Sequence, residues 1–291
     1  MIQPHSPRSD ALDRLAQLPI RPSPCFALGM GRSGTHFLAA LLATHPRVAS
    51  FHLDHSFDPV ADAFDCWAAW HHLPVDHGLL AEARAERIYG AASQGRVYFE
   101  ANPLLTPLTT VLSHCFDARF VLVYRDPAAV VRSHQAKGWY SERHVRLDTR
   151  LAPGFQAPYR RTSHVFSRLT PSGDEEYRRW ATLTIVGRLA WLWAAYYRRA
   201  LADMRQSPGE SMVLDIASVD QDGQERLCTF LSVAPVVKPH DLQALRRRPP
   251  GRSRRSTMAP EWNSREQREF ESETEHTRAT LEALRWKGVH G

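Results

Sequence analysis

Residues 25–36 read CFALGMGRSGTH, and this stretch decides the fold. It begins with a short apolar run and passes into a glycine-rich turn, after which Phe37, Leu38 and Leu41 recur at helical spacing. The pattern predicts a strand, a tight loop and a helix. Glycines let the backbone turn sharply and present successive N–H groups, and the helix N-terminus adds unpaired donors and a positive dipole. The sequence therefore predicts an anion cradle at the start of this helix.

The loop differs from an ATP-type P-loop in the position of its cation. That motif reads GxxxxGK followed by Ser or Thr, and its lysine contacts the β- and γ-phosphates. Gly29 and Gly34 fit the spacing, but the next residue is Thr35 and the basic side chain is Arg32. This arrangement suits a single phosphate-like anion that binds without a metal.

A second segment points to another anion subsite. Residues 119–127 read RFVLVYRDP, which predicts a strand that ends in a charged pair. Ligands bind at the carboxyl ends of strands in such sheets, and Ser133 follows Arg125 by eight residues. Arg125 and Ser133 could hold one further phosphate. The alternative is a Walker-B element in which Asp126 holds magnesium.

Strand and helix patterns alternate along the chain, which implies a parallel sheet with right-handed crossovers. We expect a single α/β domain, residues 1–291, with a P-loop-like parallel sheet flanked by helices, helical additions and a long loop. Residues 1–24 are a lead-in, and residues 140–174 are a lid or mobile loop. The further predicted strands are 48–53, 97–100 and 211–215, and the predicted helices are 60–93, 104–115, 175–204, 222–231 and 264–284.

The composition, 43% hydrophobic and 23% charged, suits a chain that buries a core and excludes a disordered one. No uninterrupted apolar stretch reaches the roughly 18 residues of a membrane span. The first 25 residues lack the basic-then-apolar order of a secretory signal, and the four cysteines are too far apart to predict a disulfide framework or a zinc site. We therefore expect a cytoplasmic protein.

The charge is uneven. The formal net charge is +6, only three of the 37 basic residues are lysines, and six arginines fall within residues 246–255, a segment without an acid. The remainder of the chain is neutral. Guanidinium groups bind phosphate and sulfate bidentately, so this segment is either a contact for an anionic ligand or a solvated loop.

The two motifs together resemble those of sulfotransferases that use 3′-phosphoadenosine 5′-phosphosulfate (PAPS), in particular bacterial-type members with an Arg-Ser-Gly-Thr loop. In that family the first loop binds the 5′-phosphosulfate, the Arg…Ser pair binds the 3′-phosphate, and a late basic segment closes the nucleotide site. The resemblance implies that PAPS binds, that the desulfonated nucleotide 3′-phosphoadenosine 5′-phosphate (PAP) is released and that no metal is required. The residues it assigns to the nucleotide are Gly31, Arg32, Ser33, Gly34, Thr35, His36, Arg125 and Ser133, with Arg254 and Arg255 in residues 246–262 as the late basic segment.

The reaction also needs a general base for the acceptor proton, and the family places a Glu or His just after the second strand. His52 lies at that place, and an imidazole suits the task. Asp54 and His55 are close rivals, and Glu100, at the end of the third strand, is another. Arg32 would stabilise the charge on the leaving phosphate.

The predicted function is therefore transfer of a sulfuryl group from PAPS to a hydroxyl or amine. The acceptor is a small molecule, lipid, glycan or peptide; we expect neither nucleic-acid binding nor a membrane span, and the oligomeric state stays open. One alternative is a magnesium-dependent P-loop kinase that uses Asp126. The other is a non-catalytic module that binds nucleic acid or another polyanion through residues 246–255.

Overall fold

The computed structural model describes residues 10–19, 22–53, 59–140, 166, 168–236, 239–247 and 261–290. Most of the predicted lid lies outside the described residues, and so do residues 248–260 of the basic stretch. The statements below refer to the described part of the chain.

Among the described residues, five strands form one parallel sheet: β1 (Cys25–Leu28), β2 (Val48–His52), β3 (Val97–Ala101), β4 (Arg119–Tyr124) and β5 (Ser211–Asp215). Their order is β2-β3-β1-β4-β5, and every neighbouring pair is parallel. The predicted α/β class is confirmed. From β1 the chain goes to β2 and β3 on one side of β1 and then crosses to β4 on the other side. A crevice therefore opens at the carboxyl end of β1, which is where ligands bind in open α/β sheets.

Helices cover both faces of the sheet, since each parallel strand is followed by a crossover. On one face, Leu38 and Leu227 pack with Ala27; on the other, Trp193 and Tyr197 pack with the cluster that contains Phe26. The helices are α1 (Asp10–Ala16), α2 (Thr35–Ala43), α3 (Pro59–Trp70), α4 (Gly78–Ser93), α5 (Thr109–Cys115), α6 (Pro127–Gln135), α7 (Asp174–Thr182), α8 (Ile185–Gln206), α9 (Gln221–Phe230), α10 (Pro239–Arg247) and α11 (Ser264–Ala283), with 3₁₀-helices at Pro103–Leu108 and Ile216–Ser218.

The single helix predicted over residues 175–204 is wrong, because the structure has two helices there, α7 and α8. Leu183 is extended, and the Thr184 side chain caps α8 by accepting a hydrogen bond from the Gly187 N–H at 3.1 Å. Glu269 of α11 in turn accepts hydrogen bonds from the Thr184 amide and hydroxyl, at 2.9 and 2.6 Å. This cap depends on a carboxylate 85 residues away, which a local pattern does not contain.

The predicted lead-in contains a helix. Within the predicted lead-in, residues 10–16 form α1, which buries Ala11 and Leu15 in the core. Among the described helices, none combines the length and the hydropathy that a bilayer crossing requires.

Candidate functional site

The glycine-rich loop runs from β1 to α2 over the carboxyl end of the sheet, as predicted. At its first residue, Gly29, φ is +140° and a Cβ would lie 2.3 Å from the carbonyl oxygen of Val123 in β4. The Gly29 amide donates to the Thr106 hydroxyl oxygen at 2.8 Å, and that hydroxyl donates to the Gly29 carbonyl at 3.2 Å. Gly29 is therefore required by the close approach of β4, and Thr106 fixes where the loop begins.

Gly34 sits at the other end of the loop, as the N-cap residue of α2. Its φ is +104°, and a Cβ would lie 2.5 Å from Cγ1 of Ile216. No described side chain caps this helix, and its first turn has no acidic residue. A helix start without a side-chain cap and with its positive dipole end at a glycine loop is suited to an anionic ligand.

Gly31 is different, because its φ is not positive and an added Cβ would lie no closer than 3.7 Å to the His134 imidazole. That distance is an ordinary van der Waals contact. The fold thus explains Gly29 and Gly34 without a ligand, but it does not require glycine at position 31.

Arg32 joins the two sequence motifs. Its φ is +71°, in the left-handed region, and its Nε donates to the Ser133 hydroxyl oxygen at 2.9 Å. The two residues are 101 positions apart in the sequence. The loop cation and the first turns of α6 therefore form one site rather than two separate ones.

Further cations surround this contact. Burial and the neighbouring Arg125 lower the pKa of Arg32, and burial and Arg32 lower the pKa of Lys137. Lys137 lies in the turn that follows α6, four residues beyond Ser133 in the sequence. A bound anion would relieve this mutual repulsion. Lys137 was not assigned from the sequence, because its place beside Arg32 depends on how α6 packs against the loop.

The two hydroxyl residues of the loop are buried. They are Ser33 and Thr35, and the Ser33 amide donates to the Met30 carbonyl at 3.2 Å. The predicted role of the two hydroxyls at the anion stays a prediction. Their burial indicates that Arg32 and the backbone of α2 are the more accessible groups.

His52 is the last residue of β2, and its ring stacks on that of His36 in the first turn of α2. The ring centroids are 4.3 Å apart, and the ring planes are 12° apart. Both side chains are half-buried. The structure therefore places His52 beside the anion loop. Asp54 and His55 lie outside the described residues.

Glu100 has very different surroundings. It is buried, its Oε1 accepts from Arg84 at 3.0 Å and from Asn102 at 3.1 Å, and its Oε2 accepts from Tyr98 at 2.7 Å. Arg84 also pairs with Asp62 at 2.9 Å. Burial lowers the pKa of Arg84, but Glu100 and Asp62 raise it, and the net shift is upward. Glu100 thus belongs to a buried charge network that holds β3 against α3 and α4.

Asp126, the carboxylate of the kinase alternative, caps α6. Its Oδ2 accepts from the Ala129 amide at 2.9 Å, which is the usual role of Asp at a helix N-cap. In the described ranges, no group of three or more His, Cys, Asp or Glu side chains is arranged to hold a metal ion.

Arg254 and Arg255 lie outside the described residues, but the chain on either side is placed. Before them, α10 packs on α2, and Leu242 is buried there. After them, the Trp262 indole N–H donates to the Gln135 side chain at 3.1 Å, and Arg132 lies 4.3 Å above the Trp262 ring. The chain therefore enters residues 248–260 from beside α2 and returns at α6.

Comparisons with known proteins concern the family of the chain. A family model described as "Sulfotransferase family" matches residues 24–168, which include both motifs. No curated protein matches the chain. Among solved structures, the chain is similar to a "Sulfotransferase Domain from the Curacin Biosynthetic Pathway", with 16% identity, a TM-score of 0.43 and 76% of each chain covered. At that similarity the solved structure adds no argument of its own, and the family model carries the assignment.

The two glycines of the loop give a first prediction. Gly34→Ala should lower the free energy of unfolding by at least about 2 kcal/mol, because it adds backbone strain and overpacks Ile216. Gly31→Ala, the matched control, should change it by less than about 0.5 kcal/mol. Urea denaturation measures both. Equal destabilisation by the two substitutions would contradict the role assigned to Gly34.

Proposed function

The chain belongs to the sulfotransferase family, and we propose that it transfers a sulfuryl group from PAPS to a hydroxyl or amine of an acceptor. The observation that carries the proposal is the contact of 2.9 Å between Arg32 Nε and Ser133 Oγ. It joins the glycine loop to Ser133 of α6, the helix that follows Arg125. One nucleotide with charged groups at both its 5′ and 3′ positions can therefore span the two motifs.

The residues at the loop fit the 5′ end of PAPS. The start of α2 has no described side-chain cap, and Arg32 lies beside it, where burial and then the neighbouring Arg125 lower its pKa. Phosphosulfate is an anion that could accept hydrogen bonds from these groups. Gly31, which the fold leaves without a structural requirement, gives the backbone room for close approach to it.

The 3′-phosphate is assigned to Arg125 and Ser133. Arg125 is exposed at the end of β4, and Ser133 is on the next helix in contact with Arg32. Lys137, in the turn after α6, adds a third cation to this side of the site. We also assign Arg254 and Arg255 to the nucleotide, since the stretch that contains them starts beside α2 and ends on α6.

PAPS supplies the sulfuryl group and an already activated leaving phosphate. When the acceptor oxygen or nitrogen bonds to sulfur, the bond between sulfur and the phosphate oxygen breaks, and that oxygen keeps the electron pair in PAP. Arg32 stabilises the charge on the leaving oxygen, as preorganised donors do in other group transfers. The acceptor proton passes to a base and then to solvent.

We assign the base to His52 rather than to Glu100. Residues of a strand alternate between the two faces of a sheet. His52 is on the α2 face, stacked on His36, whereas Glu100 is on the α3 and α4 face with both carboxylate oxygens engaged. Use of Glu100 as a base would disturb its buried bond to Arg84, which also pairs with Asp62, so we assign the base to His52.

The choice of donor is tested by thermal unfolding with nucleotides. PAP, without magnesium, should raise the Tm of the protein, and the rise should grow with the logarithm of PAP concentration, because PAP binds only the folded state. ATP with magnesium should raise it much less. Stabilisation by ATP and magnesium alone would contradict the proposal and favour a kinase, and stabilisation by neither would remove the PAPS assignment.

The assignment of the base predicts a contrast between two substitutions. His52→Ala should lower turnover by about 10²-fold or more, the contribution of a general base, and should leave PAP affinity unchanged. Glu100→Gln should mainly lower the free energy of unfolding, since it weakens the pairing of Arg84. Turnover is measured as PAP formed from PAPS, with a deproteinised cell extract as the acceptor pool. If folded Glu100→Gln protein is inactive and His52→Ala protein is active, the base is Glu100.

A further inference from the structure

The rings of His36 and His52 stack on each other, and the proposed reaction gives this contact no role. The centroid distance of 4.3 Å and the angle of 12° describe nearly parallel planes in contact. We refer to these two side chains as the histidine stack.

The stack follows from the register of two adjoining elements. Ser50 and His52 are two residues apart in β2 and point to the same face of the sheet. The Ser50 hydroxyl donates to the Ala39 carbonyl of α2 at 2.7 Å, which fixes the strand against the helix. His36 is one turn before Ala39, on the same side of α2. The bond from Ser50 therefore aligns the two histidines.

A parallel ring constrains the motion that matters for a base. The lone pair of an imidazole lies in the plane of the ring, so rotation about the Cβ–Cγ bond turns it away from the acceptor. A flat ring in contact with one face of His52 opposes that rotation. The stack covers a face of the ring, whereas the two nitrogens lie on its edge.

We propose that His36 is a positioning residue that fixes the ring plane of the base His52. This inference rests on the proposed function, because it takes His52 as the base. It differs from the expectation that His36 holds the nucleotide, since it requires a flat ring at position 36 and no contact with the donor.

The test compares His36→Phe, which keeps a flat ring, with His36→Ala, which removes it, and uses the exposed His276→Ala as a control. In protein labelled with ¹³C at histidine Cε1, the His52 signal is identified by its loss in His52→Ala. The stacked ring shifts this signal upfield in the wild type. His36→Phe should retain an upfield shift, and His36→Ala should lose it.

Turnover and binding give the second readout. In the assay of PAP formed from PAPS, His36→Ala should lower kcat about 5- to 10-fold, the scale of one aromatic pair. His36→Phe should stay within about twofold of the wild type, and calorimetry should give both variants an unchanged Kd for PAP. Rescue by phenylalanine is an outcome that a nucleotide contact would not produce.

Three results would overturn the inference. Equal weakening of PAP binding in both variants, with kcat retained, would place His36 in the donor cradle. A His52 signal that does not respond to His36→Ala would show that the stack does not hold the ring. Equal loss of kcat in both variants would make the imidazole itself essential. If the wild-type protein binds no PAP, the proposed function fails, while the signal of His52 still decides whether the stack exists.

Discussion

The close approach of two strands at Gly29 is the constraint on which the site depends. The backbone of β1 passes so near β4 that a side chain at Gly29 would overlap the Val123 carbonyl, and Thr106 bonds to both polar groups of Gly29. The loop therefore leaves β1 toward the end of β4. This direction brings Arg32 to Ser133 and makes one cation-lined site from two distant motifs.

The parallel sheet also separates the polar groups of the site from those that stabilise the fold. On the α3 and α4 face, Arg84 pairs with both Asp62 and Glu100 in a buried network. On the α2 face, the histidine stack lies next to an anion loop where cations repel one another. The alternation of side chains along β2 and β3 places the buried Arg84 network on one face of the sheet and the histidine stack on the other.

Local sequence patterns were sufficient for the parts of the structure that depend on neighbours in the chain. The strand, loop and helix at residues 25–43, the N-terminal Pro127 of α6 and the parallel sheet all follow from hydrophobic periodicity and glycine or proline chemistry. The break between α7 and α8 was missed because its cap requires Glu269 of another helix. Lys137 and the contact of His36 with His52 were missed because they depend on how α6 and β2 pack around the loop. A motif gives the types of residue in a site, but only the packing gives their distances.

One nucleotide that bridges the glycine loop and α6 should gain affinity from its 3′-phosphate. Calorimetry should show that PAP binds at least about tenfold more tightly than adenosine 5′-phosphate, the scale of a hydrogen bond to a charged group. In Arg125→Ala protein the two ligands should bind with nearly equal affinity. Equal affinities in the wild type, or a preference for PAP that survives Arg125→Ala, would contradict the account.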